Sequence, residues 1–206
     1  MPTPSATTNG QATSSAPFGT HRARSYSRIG YWAALACAVG AFGYALASVI
    51  NVVFAPSALA WVSYEEFAHA YNPLATLVQF TPVFLVALVY PLLVLPVYGT
   101  ASEERRPFAL LALLFAGIYS AVLGSAYWIQ LTVVPWNVAR GGAEGLASRV
   151  VWNPAGFFWG FESFGYFMMG LSALFAALAY EADARTRHTR RGLIAMAPLS
   201  SPTCST

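Results

Sequence analysis

Four apolar runs, at about residues 29–54, 74–98, 108–134 and 155–180, take up most of this chain and leave few folds open to it. A helix needs roughly 20 apolar residues to cross the hydrocarbon core of a bilayer, and each run exceeds that. Backbone groups find no water at that depth, so each run must satisfy its own hydrogen bonds as a helix. The expected fold is all-α, an integral membrane four-helix bundle over residues 28–182. It lies between a disordered N-terminal tail, residues 1–27, and an Arg-rich, disordered C-terminal tail, residues 183–206. Composition agrees: 9% of the 206 residues are charged, against roughly 25% in soluble domains. The first 27 residues are rich in Ser, Thr, Ala, Pro and Gly and carry no apolar periodicity, the mark of a segment that cannot build a core.

Every basic residue apart from histidine is an arginine, and their placement predicts topology. Arg22, Arg24 and Arg28 precede the first run, Arg105 and Arg106 join the second to the third, and Arg185, Arg187, Arg190 and Arg191 follow the fourth. The other two links carry Glu65 and Glu66, and Arg140, Glu144 and Arg149. By the positive-inside rule both termini face the cytoplasm and the cell membrane is the expected location. The arginines come in short clusters between apolar runs, so the net charge of +3 does not describe a nucleic-acid surface. Trp61, Trp136, Trp152 and Trp159 gather at the predicted outer boundary, as an aromatic belt does. The arginines before the first run and its Ala45-Leu46-Ala47 suggest a signal peptide. The run continues to Phe54, well past a signal core of about 7–15 residues, and reads as an uncleaved helix.

The links carry their own signals. Ser63 and Glu66 have capping-box spacing and predict a short helix that Asn72-Pro73 ends. The link from Pro135 to Pro154 contains Gly141, Gly142 and Gly145 and reads as flexible.

Within the spans, Glu162 stands apart. No apolar run contains a Lys, Arg or His to neutralise it, and ionisable residues at membrane depth are costly, rare and usually functional. Each of the other runs also places one amide near its outer end: Asn51, Gln79 and Gln130. The nearby prolines Pro56, Pro73, Pro135 and Pro154 approximate the outer boundary, which puts the four polar residues roughly 7–12 Å below it. Similar depth on four helices would let them meet in one outward-opening pocket. Helical phase stacks Tyr166 below Glu162, and sets Tyr127 on a face with Ser120, Gly124 and either Gln130 or Leu131. The candidate ligand-binding set is Glu162, Gln130, Gln79, Asn51, Tyr166 and Tyr127. The bland alternative is that the amides face headgroups and Glu162 is a buried interhelical hydrogen-bond partner. A charged Glu162 would need a cation, and Arg140, Arg149 and His69 are the outer-side candidates.

Other signals read as structural. Ala116, Ser120 and Gly124, and Gly156 and Gly160, have small-xxx-small spacing that lets helices approach. Pro82, Pro91 and Pro96 interrupt the second run, as broken helices do in transporters and as proline does in many membrane helices. Glu65 and His69 share a helix face but fall short of the three or four ligands a metal needs, so neither metal nor cofactor is expected. Cys37 and Cys204 belong at different depths, and no CxxC is present. A nucleotide-binding glycine loop, GxSxG, HExxH and a second intramembrane acid are all missing. No catalytic residue is assigned, and a lipid- or quinone-acting enzyme is the weakest reading.

Two stretches carry a resemblance: Tyr127-Trp128-Ile129-Gln130-Leu131-Thr132-Val133-Val134-Pro135, and Asn153-Pro154-Ala155-Gly156-Phe157-Phe158-Trp159 continuing through Glu162, Gly165-Tyr166 and Met169-Gly170-Leu171. Together they resemble a group of small prokaryotic multi-pass membrane proteins to which no activity is assigned. The resemblance covers about residues 116–180 and implies that Gln130, Glu162 and Tyr166 work as a unit. The expected partner is the lipid bilayer. Four helices form a small bundle, so a path across it would require a homo-oligomer or a larger membrane complex. The leading functional expectation is ligand, ion or proton binding for sensing or transport. The alternative is an accessory subunit that associates through its small-residue stripes.

Overall fold

The structure is a computed structural model, and it describes residues 18–54, 61–142, 145–180 and 187–199. Among these residues there is no strand. The helices are α1 (Phe18–Phe54), α2 (Tyr64–Ala70), α3 (Pro73–Thr100), α4 (Arg106–Val138), α5 (Phe157–Ala179) and α6 (Arg187–Leu199), with a 3-10 turn at Ala147–Arg149. Helices α1, α3, α4 and α5 contain the four stretches long and apolar enough to cross a membrane. The chain is thus a four-span helical bundle of the multi-pass membrane type. Phe42, Leu114, Val53 and Leu74 are more than half exposed. Apolar surface on this scale would be a liability in water and suits lipid.

Local chemistry sets the helix ends. The Ser63 hydroxyl accepts from the Glu66 amide at 3.2 Å and starts α2 where the capping-box spacing predicts. The Asn72 side chain accepts from the amides of Leu74 and Ala75 at 3.0 and 3.1 Å, and Pro73 fills the first position of α3. The end of α5 is tied down from a distance. The Arg105 guanidinium donates to the carbonyls of Leu178 and Tyr180 at 2.7 and 3.3 Å, satisfying acceptors that a helix C-terminus leaves free. Helix α3 continues through Pro82, Pro91 and Pro96.

Helix α1 packs on α3, α3 on α4, α4 on α5, and α6 on α5. Among the described residues α1 does not pack closely against α5. Contact between α1 and α3 sets glycine against proline. A Cβ on Gly30 would fall 2.6 Å from Pro96 Cγ, and one on Gly40 would fall 2.5 Å from Val86 Cγ2 and 3.1 Å from the Pro82 carbonyl oxygen. The core of the bundle holds Phe80, Tyr119, Leu123, Tyr127, Phe158 and Met168, with Tyr44 of α1 and Tyr166 of α5 packed on it. A second cluster of small residues, Ala109, Ala112, Ala116, Ala176 and Ala179 among them, joins α4 to α5 toward the end of the bundle where α6 lies.

The opposite end, here the tryptophan end, is capped by its two links. Leu146 and Val150 are buried with Val134, and Trp61, Tyr64, Phe67 and Tyr71 pack on them. The Tyr64 hydroxyl donates to the Gly142 carbonyl, joining α2 to the second link. That link was expected to be flexible from its glycines. Its described part is instead folded down onto the bundle, because Leu146, Val150 and Val151 are apolar and Gly141 and Gly145 turn the chain at φ +68°. Two further differences concern the ends. Helix α1 begins at Phe18, inside the segment expected to be a tail, and α6 is a helix inside the expected C-terminal tail. The rest of those expected tails, with Arg185 and Cys204, lies outside the described residues, as do Pro56 and Glu144.

Candidate functional site

Glu162 lies in the second turn of α5, about 8 Å along the helix from its first residue. It is half-buried, and its Oε1 accepts a hydrogen bond from the Tyr127 hydroxyl of α4 at 2.8 Å. Tyr127 is completely buried, held between Phe80 of α3 and Phe158 of α5 at ring-centroid distances of 6.0 and 5.8 Å. The hydroxyl therefore has little freedom to leave the carboxyl. Tyr166, one turn along α5, brings its hydroxyl to that of Tyr127. Tyr44 of α1 is near enough to Glu162 to feel its charge. One carboxyl thus bonds the Tyr127 phenol of α4, with Tyr166 of α5 and Tyr44 of α1 packed on the same core cluster. Among the described residues Glu162 forms no ion pair. The Arg140 guanidinium lies 3.4 Å over the Trp136 ring instead.

The three amides are distributed differently. The Asn51 amide donates to the Gln79 side-chain oxygen at 2.6 Å, and the Gln79 nitrogen reaches the Ser48 hydroxyl at 3.4 Å. Ser48 in turn lies one turn from Tyr44 on α1. Asn51 and Gln79 therefore bind each other across the α1–α3 contact, and no hydrogen bond joins either of them to Glu162 among the described residues. Gln130 does something else. Its nitrogen donates to the Arg149 carbonyl at 2.6 Å and its oxygen accepts from the Val151 amide at 3.2 Å. With 2% exposure, Gln130 is committed to holding the second link onto the bundle.

The structure thus brings Glu162, Tyr127 and Tyr166 together, pairs Asn51 with Gln79 across the α1–α3 contact, and assigns Gln130 to the cap. Tyr44 and Ser48 are the residues that sequence reasoning passed over. The signal was available: Tyr44, Ser48 and Asn51 recur at helical spacing and form a polar stripe on the apolar stretch of α1 that follows Arg28. Chemically, the centre offers one acceptor-rich carboxyl group and several hydroxyls that both donate and accept. Two of the cavities in the bundle, one between α3 and α4 and one between α3, α5 and α6, do not have Glu162 on their walls. No known family model, curated protein or solved structure matches this chain.

Proposed function

We propose that this chain is a protein of the cytoplasmic membrane with both termini in the cytoplasm, and that Glu162 with its tyrosines is a proton- or small-cation-binding centre in its outer half. The observation that carries the proposal is the 2.8 Å bond between Tyr127 and Glu162, made at membrane depth without a cationic partner among the described residues. A carboxyl so placed changes charge only with a compensating proton or cation, which is the property a sensor or transporter needs. A partly exposed carboxylate suits a small organic ammonium as well as a proton, since an ionised carboxyl accepts charge-assisted hydrogen bonds. The partial exposure of Glu162 supports access, because α1 does not close tightly over α5.

The test is infrared difference spectroscopy of the wild type against Glu162→Gln in nanodiscs, across pH 5 to 9. A carboxyl band assigned to Glu162 that titrates within the window and moves when a small amine is added is the expected result. A second reading, an accessory membrane subunit, is favoured by one observation: the Tyr127–Glu162 bond joins α4 to α5 just as the Asn51–Gln79 bond joins α1 to α3. A Glu162 band that stays unchanged from pH 5 to 9 and ignores amines would leave that reading in possession.

A further inference from the structure

A second site lies at the other end of the bundle. Helices α3, α5 and α6 enclose a cavity of about 240 Å³. It extends along α3 from Tyr90 to Val97, about 10 Å of helix. Its α5 wall is Met169, Gly170, Ala173 and Ala176, with Tyr180 just past the helix end, and the wall supplied by α6 is Leu193 with Thr189. Tyr90 closes the inner end, its ring set edge-on to Tyr119 at 4.8 Å. The space is long, narrow and apolar, and it is smaller than the roughly 300–1,000 Å³ of a drug-sized pocket. It suits part of a single hydrocarbon chain.

The rim has the opposite character. Helix α6 begins Arg187-His188-Thr189-Arg190-Arg191 and turns apolar at Leu193-Ile194. Arg190 is half-buried; it does not line the cavity itself but lies on α6 between Thr189 and Leu193, which do. Its Nε is fully buried and meets no hydrogen-bond acceptor among the described residues. The rest of the Arg190 side chain is partly exposed, and a phosphate oxygen is the acceptor that guanidinium geometry fits best. Arg191 beside it is exposed and adds positive charge at the same end.

We infer that this cavity binds one anionic phospholipid, with an acyl chain along α3 and α5 beneath α6 and the headgroup phosphate on Arg190. The site is independent of the Glu162 reading, since it shares no residue with that centre. Helix α6 would then be held down by the lipid as well as by its contact with α5.

The experiment is native mass spectrometry of the full chain in detergent, with equal amounts of phosphatidylglycerol and phosphatidylcholine carrying identical acyl chains. The wild type is expected to retain one phosphatidylglycerol, preferred about fivefold over phosphatidylcholine, the effect of one arginine beside an anionic headgroup. Ala173→Leu fills the cavity and should abolish retention of both lipids. Arg190→Gln should keep one lipid and lose the preference. If Ala173→Leu does not fold, Leu193→Phe fills the same space from the α6 side and carries the same expectation. Retention of phosphatidylglycerol by a folded cavity-filling variant at the wild-type level would overturn the site. Equal retention of the two lipids by the wild type, no retention by it, or an unchanged preference in Arg190→Gln would overturn it as well.

Discussion

At the scale of single residues, the interior holds two kinds of polar contact that mutation should separate. Tyr127 gives its hydroxyl to a carboxyl that is only half-buried. Tyr127→Phe removes the donor and leaves Glu162 able to reach other partners. The expected cost is about 1 kcal/mol, the usual net worth of one hydrogen bond, with a displaced Glu162 carboxyl band as the spectroscopic mark. Gln130 is different because both of its bonds go to backbone in the folded link. Gln130→Ala strands the buried Val151 amide and the Arg149 carbonyl together, and an unsatisfied buried group costs about 1–3 kcal/mol. Thermal denaturation in detergent should show Gln130→Ala as the more destabilising of the two, by roughly 1 kcal/mol or more, with no effect on the Glu162 band. Equal losses would mean that the link is held mainly by its apolar contacts. That each span carries an amide or carboxyl side chain near the same end of the bundle was legible in the sequence, because it is read from position along each run. Their pairing was not. Pairing depends on which helices are neighbours, and for Gln130 on a partner that is main chain and carries no side-chain signature.

Two glycines on α5 make opposite predictions at the scale of elements. A Cβ on Gly165 would fall 2.6 Å from Cγ and 2.7 Å from Cδ2 of Leu123, which is completely buried in α4. Leu123 is one turn from Tyr127 and Gly165 is three residues from Glu162, so any spreading of α4 from α5 there also strains the bond between them. Gly165→Ala should cost about 1–3 kcal/mol, as overpacking does, and should weaken the Tyr127–Glu162 contact. At Gly160 an added Cβ meets nothing within 4 Å. Gly160→Ala should therefore stabilise the helix by about 0.4–1 kcal/mol through a less free unfolded chain. The small-residue spacing of Gly156 and Gly160 suggested a helix contact. The structure uses Gly156 where a Cβ would meet the Ser148 carbonyl oxygen at 2.7 Å, next to the second link, and leaves Gly160 exposed. Spacing identifies the face of a helix that can be approached, and only the fold decides what approaches it. The four spans and the capped start of α2 were readable because apolar length and Ser-x-x-Glu spacing are local signals. The seating of the second link was not, since its glycines announce turns while its burial comes from Leu146 and Val150 meeting a distant helix.

For the whole molecule, the arginines and tryptophans divide the bundle into two ends, and that division can be tested by access. Both links of the tryptophan end, α2 with Ser63 and the second link with Ser148, lie on one side of the four spans. The α3–α4 link with Ser102 lies on the other side, with α6. The positive-inside rule assigns the Arg105–Arg106 side to the cytoplasm. A chain freed of its own thiols by Cys37→Ala and Cys204→Ala should therefore label from outside the cell when Ser63→Cys is introduced. A membrane-impermeant maleimide should leave Ser102→Cys unmodified until the membrane is permeabilised. Ser148 is exposed at the tryptophan end, so Ser148→Cys should behave as Ser63→Cys does. The reverse pattern would place the Glu162 centre toward the cytoplasm and the α6 arginines outside. It would overturn the outward orientation proposed for that centre while leaving the bundle itself intact. Labelling of Ser63→Cys and Ser102→Cys alike from outside would be the more serious result, because an even number of crossings between them contradicts a single continuous α3 span.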